Sequence, residues 1–159
     1  MCLPVEPYKI EKAWEHAGLK CVVVLNREQG HRCGYVRIMP DHPSYCEPCN
    51  DVDVHVHGGL TYGRLDVEHG YWLGWDCAHF GDSYVNPDVP ADYKWESEES
   101  RESYEYTYKT RNLTPIREGE FAHYWTFEEV VAETERLAQQ LYELSLKGEK
   151  RNEQTDKTA

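Results

Sequence analysis

The sequence contains no long apolar run. No stretch of about 18 consecutive apolar residues occurs, so no membrane-spanning helix is expected. The first residues, M-C-L-P-V-E-P-Y, also lack the basic segment followed by an apolar one that marks a secretory signal. We therefore expect a cytoplasmic protein whose six cysteines are reduced.

Positive charge is also scarce. Lys and Arg number 17 against 29 Asp and Glu, which gives a formal net charge of −12. A nucleic-acid backbone would be repelled, and no Lys/Arg cluster offsets this, so no direct nucleic-acid partner is expected. An acidic surface can instead meet a basic protein, and the acidic run at 96–105 is the segment that would do so.

Familiar catalytic motifs are missing as well. The chain has no glycine-rich nucleotide loop and no serine-centred nucleophile elbow. The H-x-H-G-G sequence at 55–59 lacks the Asp-His that follows it in the best-known two-metal hydrolase pattern. The sequence therefore predicts no particular reaction, and it leaves open whether the protein is an enzyme.

Aromatic residues, in contrast, are abundant, with five Trp and twelve Tyr, enough to form a real core. We predict a single α+β domain over 1–148, an antiparallel sheet with a long C-terminal helix packed on one face. A disordered polar tail over 149–159 is expected to follow. The predicted elements before the helix are a short helix at 10–17 and strands at 21–25, 31–39, 51–62, 70–77 and around 104–108.

The C-terminal helix has the clearest local signals. Thr126 and Glu129 have the spacing of a capping box, and Trp125 and Val130 have that of a hydrophobic staple. Apolar residues then repeat at helical spacing, which predicts a core-facing stripe. Gly148 is the predicted end of the helix.

The central stretch carries the candidate site. D-V-D-V-H-V-H-G-G at 51–59 alternates apolar and polar residues, which predicts a strand with one polar face. G-W-D-C-A-H-F-G-D at 74–82 follows a second, apolar strand. If the two strands pair, polar side chains from both converge. The candidate ligand-binding residues are His55, His57, Gly58, Gly59, Asp76, His79 and Asp82.

Two chemistries suit this set. The histidines and carboxylates His55, His57, Asp76, His79 and Asp82 are the ligand types of zinc or a similar divalent metal, which would activate water for hydrolysis. Alternatively, the Gly58-Gly59 backbone and the histidines bind a small polar ligand, with Tyr62, Trp72 and Trp75 available for stacking. A hydrogen-bonded structural network of the same side chains is the third interpretation.

The cysteines offer two further hypotheses. Cys77 is a candidate nucleophile, activated by a nearby histidine, although a cysteine in an aromatic strand is more often a buried apolar residue. Cys46 and Cys49 form a C-x-x-C pair, and His31 and Cys33 would complete a structural zinc site.

The motifs also resemble a known family. G-H-R-C-G-Y-V at 30–36, D-V-H-V-H-G-G-L-T-Y at 53–62, G-W-D-C-A-H-F-G-D at 74–82 and W-T-F-E-E-V-V-A-E-T-E-R-L-A at 125–138 resemble a family of small uncharacterised proteins of bacteriophage and prophage genomes. The resemblance implies a phage-encoded accessory protein in the host cytosol, and it implies no mechanism.

Three functional hypotheses follow. The first is an accessory protein that binds a small polar ligand at the His/Asp/Gly site, with a nucleotide-derived host signal as one candidate. The second is a metal-dependent hydrolase that uses the same cluster. The third is an acidic protein that blocks a basic host protein.

Overall fold

The computed structural model describes residues 8–26, 30–83, 97–99, 101–103, 105–106 and 122–156. It contains a five-stranded antiparallel sheet, a two-stranded parallel pair and a long C-terminal helix. The strand order in the large sheet is β1-β2-β3-β5-β4. The predicted α+β fold, with an antiparallel sheet and a C-terminal helix, is confirmed. The elements are β1 Tyr8–His16, β2 Leu19–Asn26, β3 Arg32–Ile38, β4 Tyr62–Leu65, β5 Tyr71–Asp76, β6 Asp82–Ser83, β7 His123–Tyr124 and α1 Phe127–Asp156.

The helix predicted at 10–17 is wrong, because this segment forms strand β1 and pairs antiparallel with β2. Ala17 and Gly18 connect the two strands with φ angles of 50° and 76°, the positive values that a two-residue hairpin turn of the primed type requires. An isolated helix of this length is marginal in water. Pairing with the apolar strand β2 therefore outweighs the weak helical pattern.

Strands β2, β3 and β5 confirm the predictions at 21–25, 31–39 and 70–77 and form the centre of the sheet. One face of the sheet carries Val23, Val36, Leu73 and Trp75, which belong to the main core together with the apolar stripe of α1. A second apolar cluster includes the neighbouring residues of the same strands. Its buried members are Val22, Val24, Cys33, Tyr35 and Trp72.

The strand predicted at 51–62 is wrong over most of its length, because only β4 at its end joins the sheet. The backbone at 55–57 instead bonds to side chains of α1. The His55 N–H donates to Gln140 Oε1 at 2.7 Å, and Gln140 Nε2 donates to the His55 carbonyl at 3.0 Å. The His57 N–H donates to Glu133 Oε1 at 2.8 Å. The alternation correctly predicts that Val52 is buried, although no neighbouring strand is its partner.

Helix α1 begins as predicted. The Thr126 N–H donates to Glu129 Oε2 at 2.8 Å, and the Glu129 N–H donates to Thr126 Oγ1 at 3.2 Å, which is a complete capping box. The predicted end at Gly148 is wrong, since the helix continues to Asp156. Residues 149–156 continue this helix and 157–159 lie outside the described residues, so the disordered tail stays a prediction.

The acidic run contains helical residues at 98–99, 101–103 and 105–106. Tyr106 is one of them, so the strand predicted around 104–108 is wrong at this position. Tyr104 and Tyr108 lie outside the described residues. Glu98, Glu99, Glu102 and Glu105 are exposed, as expected for an acidic surface segment. In the part of the chain that the structure describes, no helix is both long enough and apolar enough to cross a membrane.

Candidate metal centre

Asp82 is the centre of a polar cluster at the end of β5. After Asp76 the chain turns, and the turn is closed by two bonds: the Asp82 N–H donates to the His79 carbonyl, and the His79 N–H donates to Asp82 Oδ2 at 2.8 Å. Strand β6 then pairs Asp82 with His123 of β7, just before α1. This pairing fixes a carboxylate that is only 3% exposed beside the start of the helix.

His57 also contacts this carboxylate. Its Nε2 lies 2.8 Å from Asp82 Oδ2, and its ring lies against that of Trp125, with 4.5 Å between centroids. The Trp125 indole N–H donates to the other oxygen, Asp82 Oδ1, at 3.2 Å. The Asp82 carboxylate and the Trp125 ring therefore fix the orientation of the His57 imidazole.

His79 completes the group. Its Nδ1 lies 3.5 Å from Asp82 Oδ2 and 3.8 Å from Asp76 Oδ1, and its ring centroid is 5.2 Å from that of His57. The ring lies directly over Gly58: a Cβ at that glycine would be 2.1 Å from His79 Cε1. Gly58 also has a φ of +66°, so both its conformation and the adjacent ring require a glycine.

Three side chains can reach one ion. A ligand atom from each of His57, His79 and Asp82 lies within 4.8 Å of the other two. Zinc binds imidazole nitrogen and carboxylate oxygen at about 2.0–2.2 Å, so two ligands of one ion are at most about 4.4 Å apart. The three ligand atoms are therefore close to the separation that a single ion would require, and such an ion would replace the proton between His57 and Asp82.

The other predicted site residues are placed differently. Asp76 lies beside the cluster, and its oxygens accept hydrogen bonds from Thr61 Oγ1 at 2.6 Å and the Ala78 N–H at 2.9 Å. His55 is exposed and outside the group that can share an ion. Gly59 has a φ of +83°, but its Cβ position has no neighbour within 4 Å. The structure thus brings together His57, His79 and Asp82, with Asp76 and Gly58 in support.

The sequence did not assign Trp125, Glu133 or His31 to this site. Trp125 was predicted only as part of a helix staple, and the role of Glu133 depends on a contact with the distant His57. His31 is buried, and burial lowers its pKa, while the nearby Asp76 and Asp82 raise it. No local signal marks these residues, since each reaches the cluster through tertiary packing.

The cysteine hypotheses receive no support from the geometry. Cys77 is buried in the main core, and burial raises its pKa, which disfavours the thiolate form that a nucleophile requires. Cys33 is buried among apolar residues, and burial raises its pKa to about 12. Among the described residues, the group that can share one ion contains no cysteine, and the zinc site of Cys33, Cys46 and Cys49 with His31 stays a prediction.

The fold and the cluster together define an acidic α+β protein with a candidate metal centre of two histidines and one carboxylate. Comparison of the chain with protein-family models, with curated proteins and with solved structures found no match. The resemblance to phage proteins therefore stays a prediction from the sequence motifs.

Proposed function

We propose that this protein binds one divalent metal ion through His57, His79 and Asp82, and that the ion holds a small polar ligand. The observation that carries the proposal is the convergence of three ligand atoms within 4.8 Å. Imidazole and carboxylate are ligands that suit zinc and neighbouring transition metals. Three protein ligands leave at least one coordination position open, as in zinc sites that act on an external molecule.

The charge balance supports the same proposal. Among the described residues, the ion pairs of Asp82 are with His57 and His79 only, and both histidines are neutral when they bind a metal. A buried carboxylate is costly unless a cation compensates it. A bound divalent ion would supply this compensation, and no Arg or Lys pairs with Asp82 in that part of the chain.

The site is accessible to a ligand from one side. The side chains of His57 and His79 are 27% and 29% exposed, whereas that of Asp82 is 2% exposed. A metal held between them would be fixed on its inner side and open on its outer side. Carboxylate, phosphate or water oxygens are the groups that such a position accepts.

Isothermal titration of zinc into chelator-treated protein tests this proposal. We expect one ion per chain, with affinity lost in His57→Ala. His55→Ala is the matched control, since its histidine lies two residues away but outside the cluster, and it should bind as the wild type does. Far-ultraviolet circular dichroism checks that both variants fold. Equal binding by the two variants, or no binding by the wild type, would overturn the proposal.

A second candidate function is metal-dependent hydrolysis. Asp76 favours it, because its carboxylate is fixed by two hydrogen bonds and lies 3.8 Å from His79 Nδ1. With a metal ion held by His57, His79 and Asp82, Asp76 would be placed to act as the general base for a water molecule. The test is turnover of a nitrophenyl ester or phosphodiester by the zinc-loaded protein. Turnover that is lost in Asp76→Asn, while zinc stays bound, would support hydrolysis. Absence of turnover in the wild type would contradict hydrolysis and leave ligand binding as the proposed function.

The cellular setting is part of the proposal. The motif resemblance supports a phage-encoded accessory protein that acts in the cytosol of its host. Expression of the chain in a bacterial host, followed by fractionation, tests the location directly. Recovery in the cytosolic fraction is expected, and recovery in the membrane or periplasmic fraction would contradict this part of the proposal.

A further inference from the structure

A cavity of about 260 Å³ adjoins the candidate metal centre. Three tyrosines supply much of its wall: Tyr8, Tyr35 and Tyr62. The rings of Tyr35 and Tyr62 meet edge to face, with 5.1 Å between centroids and 83° between planes. Ligand pockets for whole drug-sized molecules measure about 300–1,000 Å³, so this cavity suits one ring-sized group.

Polar residues also line the cavity, among them Thr61, Asp76 and His31. Thr61 Oγ1 donates a hydrogen bond to Asp76 Oδ2. Asp76 connects the cavity with the candidate metal centre, since its Oδ1 also lies 3.8 Å from His79 Nδ1. Each Asp76 oxygen accepts one hydrogen bond, from Thr61 or from the Ala78 N–H, and a carboxylate has about four acceptor positions in all. The carboxylate therefore keeps capacity to accept hydrogen bonds from a ring in the cavity.

From these observations we propose that the cavity binds the base of a nucleoside monophosphate whose phosphate coordinates the metal ion. The inference rests on the proposed metal site. Tyrosine rings provide the faces and edges on which a flat heterocycle packs. Asp76 accepts but does not donate when it is ionised, so it selects a base with N–H donors, of which guanine presents the most on one edge.

The metal is required for the phosphate part of this ligand. The chain has a net charge of −12, and Asp76 and Asp82 lie at the site itself, so they repel an anion in the absence of a cation. A divalent ion reverses the local charge and binds phosphate oxygen directly. Base and phosphate are therefore recognised by adjacent parts of one site.

Titration calorimetry of the zinc-loaded, full-length protein compares two probes, guanosine monophosphate and ribose 5-phosphate. The probes share the phosphate and the sugar, and only the first has a base. We expect guanosine monophosphate to bind at least about tenfold more tightly, the low end of what base stacking contributes. Uridine monophosphate, whose base has one N–H donor, should lie between them. Zinc-free protein should bind none of the three.

Variants of Tyr62 sharpen the comparison. Tyr62 lies in the edge strand β4 and is only partly buried, so Tyr62→Ala is compatible with folding. We expect this variant to bind both probes equally, whereas Tyr62→Phe keeps the ring and the preference. Tyr142→Ala is the matched control, because it removes an exposed tyrosine from α1 and should leave the preference unchanged.

The outcomes separate the two proposals. Equal binding of both probes by zinc-loaded wild type, or binding of neither, would overturn the base-binding inference and leave the metal site intact. Equally tight binding of guanosine monophosphate without zinc would overturn the inferred role of the metal. A protein that takes up no zinc contradicts the proposed function itself. The inference is supported if the wild type prefers guanosine monophosphate over ribose 5-phosphate, if Tyr62→Ala loses this preference and if Tyr142→Ala keeps it.

Discussion

Two buried carboxylates lie near opposite ends of strand β5 and have different partners. Near the start of the strand, Asp66 accepts two hydrogen bonds from Arg37, at 2.6 and 3.1 Å, and a third from Trp72 Nε1 at 2.9 Å. The backbone N–H groups of Glu68 and Gly70 donate to it as well. Asp66 therefore has a permanent counterion and a full set of donors.

Asp82, beyond the end of the strand, has donors but no permanent cation. Its bonds come from His57, the His79 backbone and Trp125. Arginine is always protonated, whereas histidine loses its charge near neutral pH. The Asp66 cluster is thus complete as a structural network, and the Asp82 cluster is the one to which we assign the proposed metal ion. Arg37 marks the difference: the hydrogen bond from its guanidinium is the largest cause that holds the pKa of Asp66 well below its usual range.

The largest expected effect is the loss of metal affinity in Asp82→Asn. Removal of a group that only supports a ligand costs about 10–100-fold in affinity, so removal of a ligand should cost at least about 100-fold. Asn keeps the shape of the side chain but not its charge. Competition titration against a colorimetric zinc chelator measures the change, and an unchanged affinity would show that Asp82 is not a ligand.

The second expected effect concerns stability and belongs to the other cluster. Asp66→Asn removes the more buried of the two charge partners of the Arg37 guanidinium, while Glu68 still pairs with it at 3.1 Å, and we expect a loss of about 1–3 kcal/mol. Urea unfolding of the metal-free proteins measures this difference in the free energy of unfolding at pH 7. Zinc affinity should not change in Asp66→Asn, and a loss of zinc affinity there would contradict the separation of the two clusters.

The pH dependence of this second effect has a definite sign. The pKa of Asp66 is lowered in the folded protein, whereas an unfolded Asp titrates near pH 4. The stabilisation from its ionised form is therefore fully present above that value and is lost as the pH falls toward the folded pKa. The difference in unfolding free energy between wild type and Asp66→Asn should be constant from pH 7 to 5 and shrink below pH 4.

The third effect uses two neighbouring glycines. Gly58→Ala places a Cβ 2.1 Å from the His79 ring and strains a φ of +66°, whereas Gly59→Ala strains a φ of +83° and meets no neighbour within 4 Å. Both variants should lose about 1–3 kcal/mol to backbone strain. Only Gly58→Ala should also displace His79 and lower zinc affinity, by about tenfold. Titration calorimetry on both variants tests this, and equal affinities would refute the packing argument.

The smallest expected effect is that of Asp76→Asn on zinc binding. Asp76 lies beside the three ligands but outside the group that can share one ion. We expect the zinc affinity to fall by less than about tenfold, with one ion still bound per chain. If the loss of zinc affinity were as large as in Asp82→Asn, Asp76 would be a fourth metal ligand like Asp82.

Much of the sheet and helix could be predicted from local signals. The apolar runs of β2 and β5 and the Thr126–Glu129 capping box depend on residues that are close in sequence. The segment 51–61 shows where such signals fail. Its alternation marks Val52 as buried, but the backbone partners are Gln140 and Glu133 of a helix about 80 residues away in sequence, and no local pattern encodes them.

The candidate site was predictable as a set of residues but not as a geometry. His57, His79 and Asp82 were all in the predicted set, together with His55, which the backbone turns outward. Their convergence depends on the parallel pairing of β6 with β7, two strands of two residues each, which are too short to leave a sequence pattern. The C-x-x-C spacing of Cys46 and Cys49 was equally suggestive, but the fold places Cys33 inside an apolar cluster.

The most direct test of the central claim is native mass spectrometry of the protein purified without added metal or chelator, with elemental analysis of the same sample. The account predicts one divalent transition-metal ion per chain in the wild type and in Asp66→Asn, and none in Asp82→Asn. A wild type that carries no metal, even after incubation with zinc, would contradict it and would make the Asp82 cluster a structural network like that of Asp66.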